Sequence, residues 1–237
     1  MLRPIGNAIE PAGARPPGLP LVRRAIVEGL GTAFLLAGVV GSGMMAERLA
    51  GGNAALTLLA NSLATGAVLV ALILALGAVS GAHLNPLVTA ADVIAFGRSR
   101  RELLPYVVAQ FVGAIAGVAA AQAMFGERLF RLSLKARGGV GQILSEAVAT
   151  VGLLAVAFLS SRRGIEAAAA GVGAYIAGAY WFTSSTSFAN PALTLARTLT
   201  GSFTGIRPAD VPGFLLGQAA GLVAFVVFAR WLRPRKE

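Results

Sequence analysis

Residues 80–91 read SGAHLNPLVTAA and residues 185–196 read STSFANPALTLA. In each stretch an apolar run of bilayer-spanning length breaks at a short polar loop, and Asn-Pro then opens a new apolar segment. Thr89 and Thr194 follow four residues after their Asn. Asn is a favoured helix N-cap and Pro a favoured first helical residue, so both copies read as helix starts. A helix that starts straight after a spanning run cannot span as well. It has to be a half-helix that dips into the membrane and meets its twin near the middle. Such broken helices survive in lipid only where the irregular backbone is buried in protein or lines an aqueous path. Asn-Pro is also a common turn signal, and a single copy reads as an ordinary loop. Two copies in one NP-x-x-T frame argue for a built feature.

The capping chemistry says what such a path would carry. An N-cap Asn spends its side-chain oxygen on the first backbone N–H groups of its helix, which leaves the amide NH2 as a donor pair. Asn85 and Asn190 would present these donors at the midplane, each at the positive end of a helix dipole. Donors and converging positive ends suit the oxygen of a neutral molecule and repel protons and cations.

Composition agrees with a chain embedded in lipid. Of 237 residues, 56% are apolar and only 13% charged, against about a quarter charged in a soluble domain. Mean hydropathy is +0.75, which points the same way. The formal charge of +10 falls in short loops between apolar segments, so it reads as membrane topology rather than as a nucleic-acid face. Cysteine is absent, which excludes disulfide and thiol chemistry. One histidine and no acidic or Cys/His cluster argue against a metal, a cofactor or an acid–base catalytic set, and so against an enzyme.

Taken in order, residues 1–22 carry five prolines and scattered charge and read as a disordered cytoplasmic tail. The channel domain follows over 23–233. Its first repeat, about 24–125, has spans near 25–46, 54–78 and 103–125, with the half-helix 85–96 between the second and third. A polar connector, 126–139, leads to the second repeat, about 140–232, with spans near 140–160, 165–182 and 211–232 and a re-entrant segment over 183–199. Glu28 and Thr32 recur as Glu146 and Thr150, and Gln110 and Gly113 recur as Gln218 and Gly221. The expected fold is therefore an all-α membrane protein with six transmembrane helices and two re-entrant half-helices. Three spans per half invert the second repeat, so the half-helices enter from opposite leaflets. With both termini cytoplasmic, thirteen Lys and Arg residues lie inside and seven outside, the orientation that the positive-inside rule favours.

The paired boxes, the SGAHxNPxVT pattern, a buried Glu in each half and the inverted layout resemble the aquaporin, or major intrinsic protein, family over about residues 24–232. The resemblance implies a homotetramer in the cell inner (plasma) membrane, one pore per subunit, passing small neutral solutes. It places Asn85, Pro86, Leu87, Asn190, Pro191 and Ala192 at the pore centre. Carbonyls of Gly81, Ala82, His83, Thr186, Ser187 and Phe188 would form a ladder of acceptors. Glu28 and Glu146 would fasten the two loops. Leu87 stands where the family has Ala, and Leu193 where most members have a filter Arg. Distances counted from each Asn put Thr65, Gly178, Ser187 and Leu193 at the filter, none charged or aromatic.

That wide, Arg-less filter suggests glycerol-like polyols or a neutral metalloid hydroxide such as arsenite, with water as co-permeant. SFANPALTLAR at 187–197 resembles a bacterial aquaporin branch associated with arsenic resistance. Arg197 is either a displaced filter arginine in the outer vestibule or a snorkelling cation at a helix end. His83 either faces the pore or fastens its loop. Tyr175, Tyr180 and Trp181 read as packing or interface residues. The rival readings are a strict water channel and a coupled secondary transporter, whose inverted repeats look alike but whose substrate site usually needs a titratable group.

Overall fold

The computed structural model describes residues 19–232, so most of the expected tail over 1–22 lies outside the described residues. Eight α-helices follow one another: α1 Leu21–Leu49, α2 Ala54–Ser80, α3 Pro86–Ala95, α4 Leu103–Met124, α5 Val140–Ser160, α6 Ile165–Phe182, α7 Pro191–Ala196 and α8 Val211–Trp231. No strand occurs among the described residues. Five of the long helices have the length and composition to cross a bilayer. The sixth, α6, has 18 residues and is rich in Ala and Gly. The short α3 and α7 are the two half-helices.

Local chemistry sets the boundaries. Asn53 caps α2 by accepting from Leu56 N–H at 3.1 Å. Gly81 ends α2 with φ +100°, a left-handed conformation that glycine adopts without a Cβ clash. Both half-helices begin on an extended Asn followed by Pro. Asn85 accepts from Leu87 N–H, and Asn190 from Ala192 and Leu193 N–H.

The outer faces are apolar, as lipid requires. On α1 the exposed Val22, Ile26, Leu30 and Phe34 recur every four residues and form one stripe. Inside, small residues let helices approach closely. A Cβ added at Gly113 of α4 would lie 2.0 Å from the Gly29 carbonyl oxygen of α1, and one at Gly221 of α8 would lie 2.6 Å from the Ala147 carbonyl oxygen of α5. Glycine is required at these crossings because backbone meets backbone there. Helix pairs α1/α4 and α5/α8 are thus twins, matching the duplication read from the sequence.

The connector between the repeats is ordered rather than loose. It doubles back across the end of α7, where Ser133 N–H donates to Thr198 O at 2.8 Å and Arg207 N–H donates to Lys135 O at 2.8 Å.

Candidate functional site

Two re-entrant loops meet inside the helical body, and each is held by one buried glutamate. Glu28 accepts from His83 N–H at 2.9 Å and Leu84 N–H at 2.7 Å, and also from the Ser80 hydroxyl at 2.7 Å and the Gln110 amide at 2.9 Å. Glu146 accepts from Phe188 N–H and Ala189 N–H, both at 2.9 Å, and from the Gln218 amide at 2.6 Å. The same glutamine reaches the half-helix threonine in each half: Gln110 to Thr89 at 3.1 Å, Gln218 to Thr194 at 2.9 Å. A carboxylate without water needs such donors, because an unpaired buried charge is costly. The E-x-x-x-T twins differ in one respect. The Thr32 hydroxyl donates to Glu28 O, whereas the buried Thr150 hydroxyl has no partner among the described residues.

These bonds hold backbone that would not stay folded by itself. Ala82, Leu84, Thr186, Ser187 and Ala189 all have positive φ, between 45° and 60°. Each non-glycine residue in that region is strained and persists only where its surroundings fix it. Among the described residues no donor reaches the carbonyls of Gly81, Ala82, His83, Thr186, Ser187 or Phe188.

The half-helices meet N-terminus to N-terminus through crossed bonds. The Asn85 amide donates to Ala189 O at 2.8 Å, and the Asn190 amide donates to Leu84 O at 2.8 Å. This corrects the expectation of a free donor pair on each Asn. One N–H of each amide ties the two loops together, which leaves one per Asn without a partner among the described residues. Sequence spacing could not show this, because the bond joins residues more than a hundred positions apart.

The residues counted towards the filter do not all come together. Thr65 of α2 is buried, and its hydroxyl lies 3.2 Å from the Tyr180 hydroxyl of α6. Leu193 and Tyr180 belong to one buried cluster, and the Ser187 hydroxyl is buried with no partner among the described residues. Gly178 is elsewhere. It sits on the exposed face of α6 with Ala174 and Trp181, and a Cβ added there would meet nothing within 4 Å. Each helical residue turns the side chain by about 100°, so Gly178 and Tyr180 point to different faces of α6. Among the described α6 side chains it is Tyr180 whose hydroxyl meets Thr65.

His83 is tied at both ring nitrogens, Nδ1 lying 3.1 Å from the Thr89 hydroxyl and Nε2 3.3 Å from an Asp92 carboxylate oxygen. That is the geometry of a loop fastener. Arg197 is buried, with its guanidinium 3.4 Å from the Phe188 ring centroid, so it does not snorkel to an interface. Among the described residues no group of three or more His, Cys, Asp or Glu could hold a metal ion.

Two short helices meeting head to head within six long apolar helices define the architecture of a membrane channel. A model of the major intrinsic protein family matches residues 18–177. The chain is 49% identical over 212 residues to Aquaglyceroporin AqpS of Rhizobium meliloti (strain 1021), covering 90% of this chain and 91% of that one. It is 30% identical over 227 residues to Aquaporin NIP1-1 of Zea mays, covering 92% and 79%. Among solved structures, the aquaglyceroporin from Plasmodium falciparum has a TM-score of 0.73 at 22% identity, covering 90% of this chain and 95% of that one, a likeness of fold. The chain belongs to the major intrinsic protein family. It is a multi-pass membrane protein and a channel, not an enzyme.

Proposed function

We infer that this channel passes small uncharged solutes down their gradients: glycerol-like polyols, neutral metalloid hydroxides such as arsenite, and water as co-permeant. The crossed Asn85–Ala189 and Asn190–Leu84 bonds carry this reading. They set two amide donors at the positive ends of facing helices, beside carbonyls that no protein donor reaches. A neutral hydroxyl can accept from the one and donate to the other, whereas a cation meets two positive helix ends. Neither midplane residue titrates, which disfavours coupling to protons.

In this reading Asn85, Pro86, Leu87, Asn190, Pro191 and Ala192 form the pore centre, and the carbonyls of residues 81–83 and 186–188 form the ladder. Thr65, Ser187 and Leu193, joined by Tyr180, line the filter, with Arg197 at its outer side. Glu28 and Glu146 act as fasteners. The channel domain over 23–233 sits in the cell inner (plasma) membrane with both termini cytoplasmic, assembled as a homotetramer. The fit of the basic residues to that orientation and the family's tetramers support these last points. Stopped-flow light scattering of vesicles holding the full chain, with water, glycerol and arsenite gradients, tests the solute class. All three solutes should pass faster than in empty vesicles. Water flux alone would favour the strict water channel and sink the polyol reading.

A further inference from the structure

A cavity of about 250 Å³ lies where α1 and α4 end and the turn after α7 crosses them. Three arginines, Arg48, Arg128 and Arg131, and two glutamates, Glu47 and Glu127, take part in its lining. Most of that charge is already committed. Arg48 Nη2 donates to Glu127 Oε1 at 2.9 Å and to Phe125 O at 2.7 Å, and Glu47 accepts from Phe203 N–H at 3.0 Å. Arg128 and Arg131 are exposed, and among the described residues neither makes a hydrogen bond or an ion pair. The stem of Arg131 is nevertheless placed: a Cβ added at Gly201 would lie 3.4 Å from its Cδ.

The connector that carries these two arginines is turned inside out for a loop in water. Leu132 and Leu134 are 58% and 86% exposed, while Ser133 between them is buried. Ser133 N–H donates to Thr198 O at 2.8 Å and its hydroxyl accepts from Lys135 N–H at 3.2 Å, so the register that points the leucines outward is fixed by bonds. Leu129 and Phe130 are exposed as well, as are Leu49 and Met124 near the ends of α1 and α4. Four of the seven basic residues that the proposed orientation puts outside also lie in this connector, against the usual bias of membrane loops. Lys135 and Arg137 are engaged by carbonyls of the loop after α7, Phe203 O and Gly205 O. Arg128 and Arg131 are not.

Water alone would solvate two free arginines, but it gives no reason to turn the leucines out and the serine in. A lipid interface takes both, with guanidinium groups at the level of the phosphates and apolar side chains among the acyl chains. We propose that the cavity is a binding site for the phosphate of an anionic phospholipid, held by Arg128 and Arg131 while Leu132 and Leu134 enter the same leaflet. A guanidinium fork matches two phosphate oxygens at once. A zwitterionic headgroup would bring its own cation against the arginines, so the site favours a lipid with net negative charge.

The test is thermal unfolding of the full chain in mild detergent, titrated separately with short-chain phosphatidylglycerol, with phosphatidylcholine of the same chains and with inorganic phosphate. A lipid that binds the folded channel raises its melting temperature by mass action. Phosphatidylglycerol should do so, and the other two should not. Arg128→Gln with Arg131→Gln should need about thirtyfold more phosphatidylglycerol for the same rise, and without lipid should melt with the parent. If that variant does not fold, Arg128→Lys with Arg131→Lys, which keeps charge but loses the fork, should show a smaller shift in the same direction. Arg100→Gln with Arg101→Gln, at the other end of α4, controls for bulk charge and should respond like the parent. An equal rise with phosphatidylcholine, a full rise with inorganic phosphate alone, or an unaltered response of the 128/131 variants would each overturn the assignment. Leu132→Ser with Leu134→Ser should elute at the parent's size while binding the lipid more weakly. A smaller particle would show that a second copy of the chain covers the leucines, and would overturn it too.

Discussion

The two halves of the molecule fasten their re-entrant loops with the same atoms and treat charge in opposite ways. In the first half the cations near the loop are paired. Arg98 lies 2.8 Å from Asp92 and 3.1 Å from Glu102, and Arg24 lies 2.9 Å from Glu102. His83 leans on the same Asp92. In the second half the Arg137 and Arg197 guanidinium groups meet carbonyls, a hydroxyl and an aromatic ring, while the Asp210 carboxylate accepts from the Arg137 backbone N–H. The fastening is a mechanical need that both loops share, because each has strained backbone and N–H groups to satisfy. Charge is a separate property: the guanidinium groups near the loop are paired with carboxylates in one half and held by carbonyls in the other.

The sharpest way to break the parallel is to cut the fasteners. Glu28→Ala and Glu146→Ala each leave two buried loop N–H groups unpaired, at about 1–3 kcal/mol per group, with more lost from the stranded glutamine. Both variants should give little monodisperse protein by size-exclusion chromatography, to a similar degree. If either assembles normally and conducts normally, its fastening role is wrong.

The helix crossings come next. Gly113→Ala drives a Cβ to within 2.0 Å of a backbone oxygen, and Gly221→Ala to within 2.6 Å. Overpacking costs typically about 1–3 kcal/mol, so both should lower the melting temperature, Gly113→Ala more. An equal or reversed order would show that the two crossings relax differently from their resting geometry.

A smaller, functional effect is expected in the filter. Leu193→Arg with Thr65→Phe adds a charged donor and a second ring beside Tyr180. Glycerol and arsenite flux should fall while water flux persists. Unchanged flux of the larger solutes would mean that these positions do not line the constriction. The smallest effect belongs to Gly178→Ala, where the new methyl group meets nothing. Flux and stability should match the parent, whereas Tyr180→Phe, which removes the hydroxyl facing Thr65, should shift the glycerol-to-water ratio. The reverse pattern would restore Gly178 to the filter.

The contrast between halves also marks what could be read from the sequence. The Asn-Pro starts, the Glu and Gln partners and the Gly crossings were legible because each is a local residue choice dictated by backbone physics. Their recurrence gave the inverted repeats. Tyr180, read as a packing or interface residue, is buried in the core, but its contact with Thr65 joins two distant helices and could not be read from spacing. The connector over 126–139 was read only as polar, since nothing local says that it folds back over α7. The crossed Asn bonds likewise join residues whose pairing only tertiary structure supplies.

Passive passage of neutral solutes is the central claim, and glycerol uptake into reconstituted vesicles measured with and without a proton uncoupler tests it most directly. The expected result is uptake that rises linearly with concentration, stops when the gradient is spent and is indifferent to the uncoupler. Saturable accumulation against a gradient that collapses on uncoupling would contradict it and establish a coupled transporter.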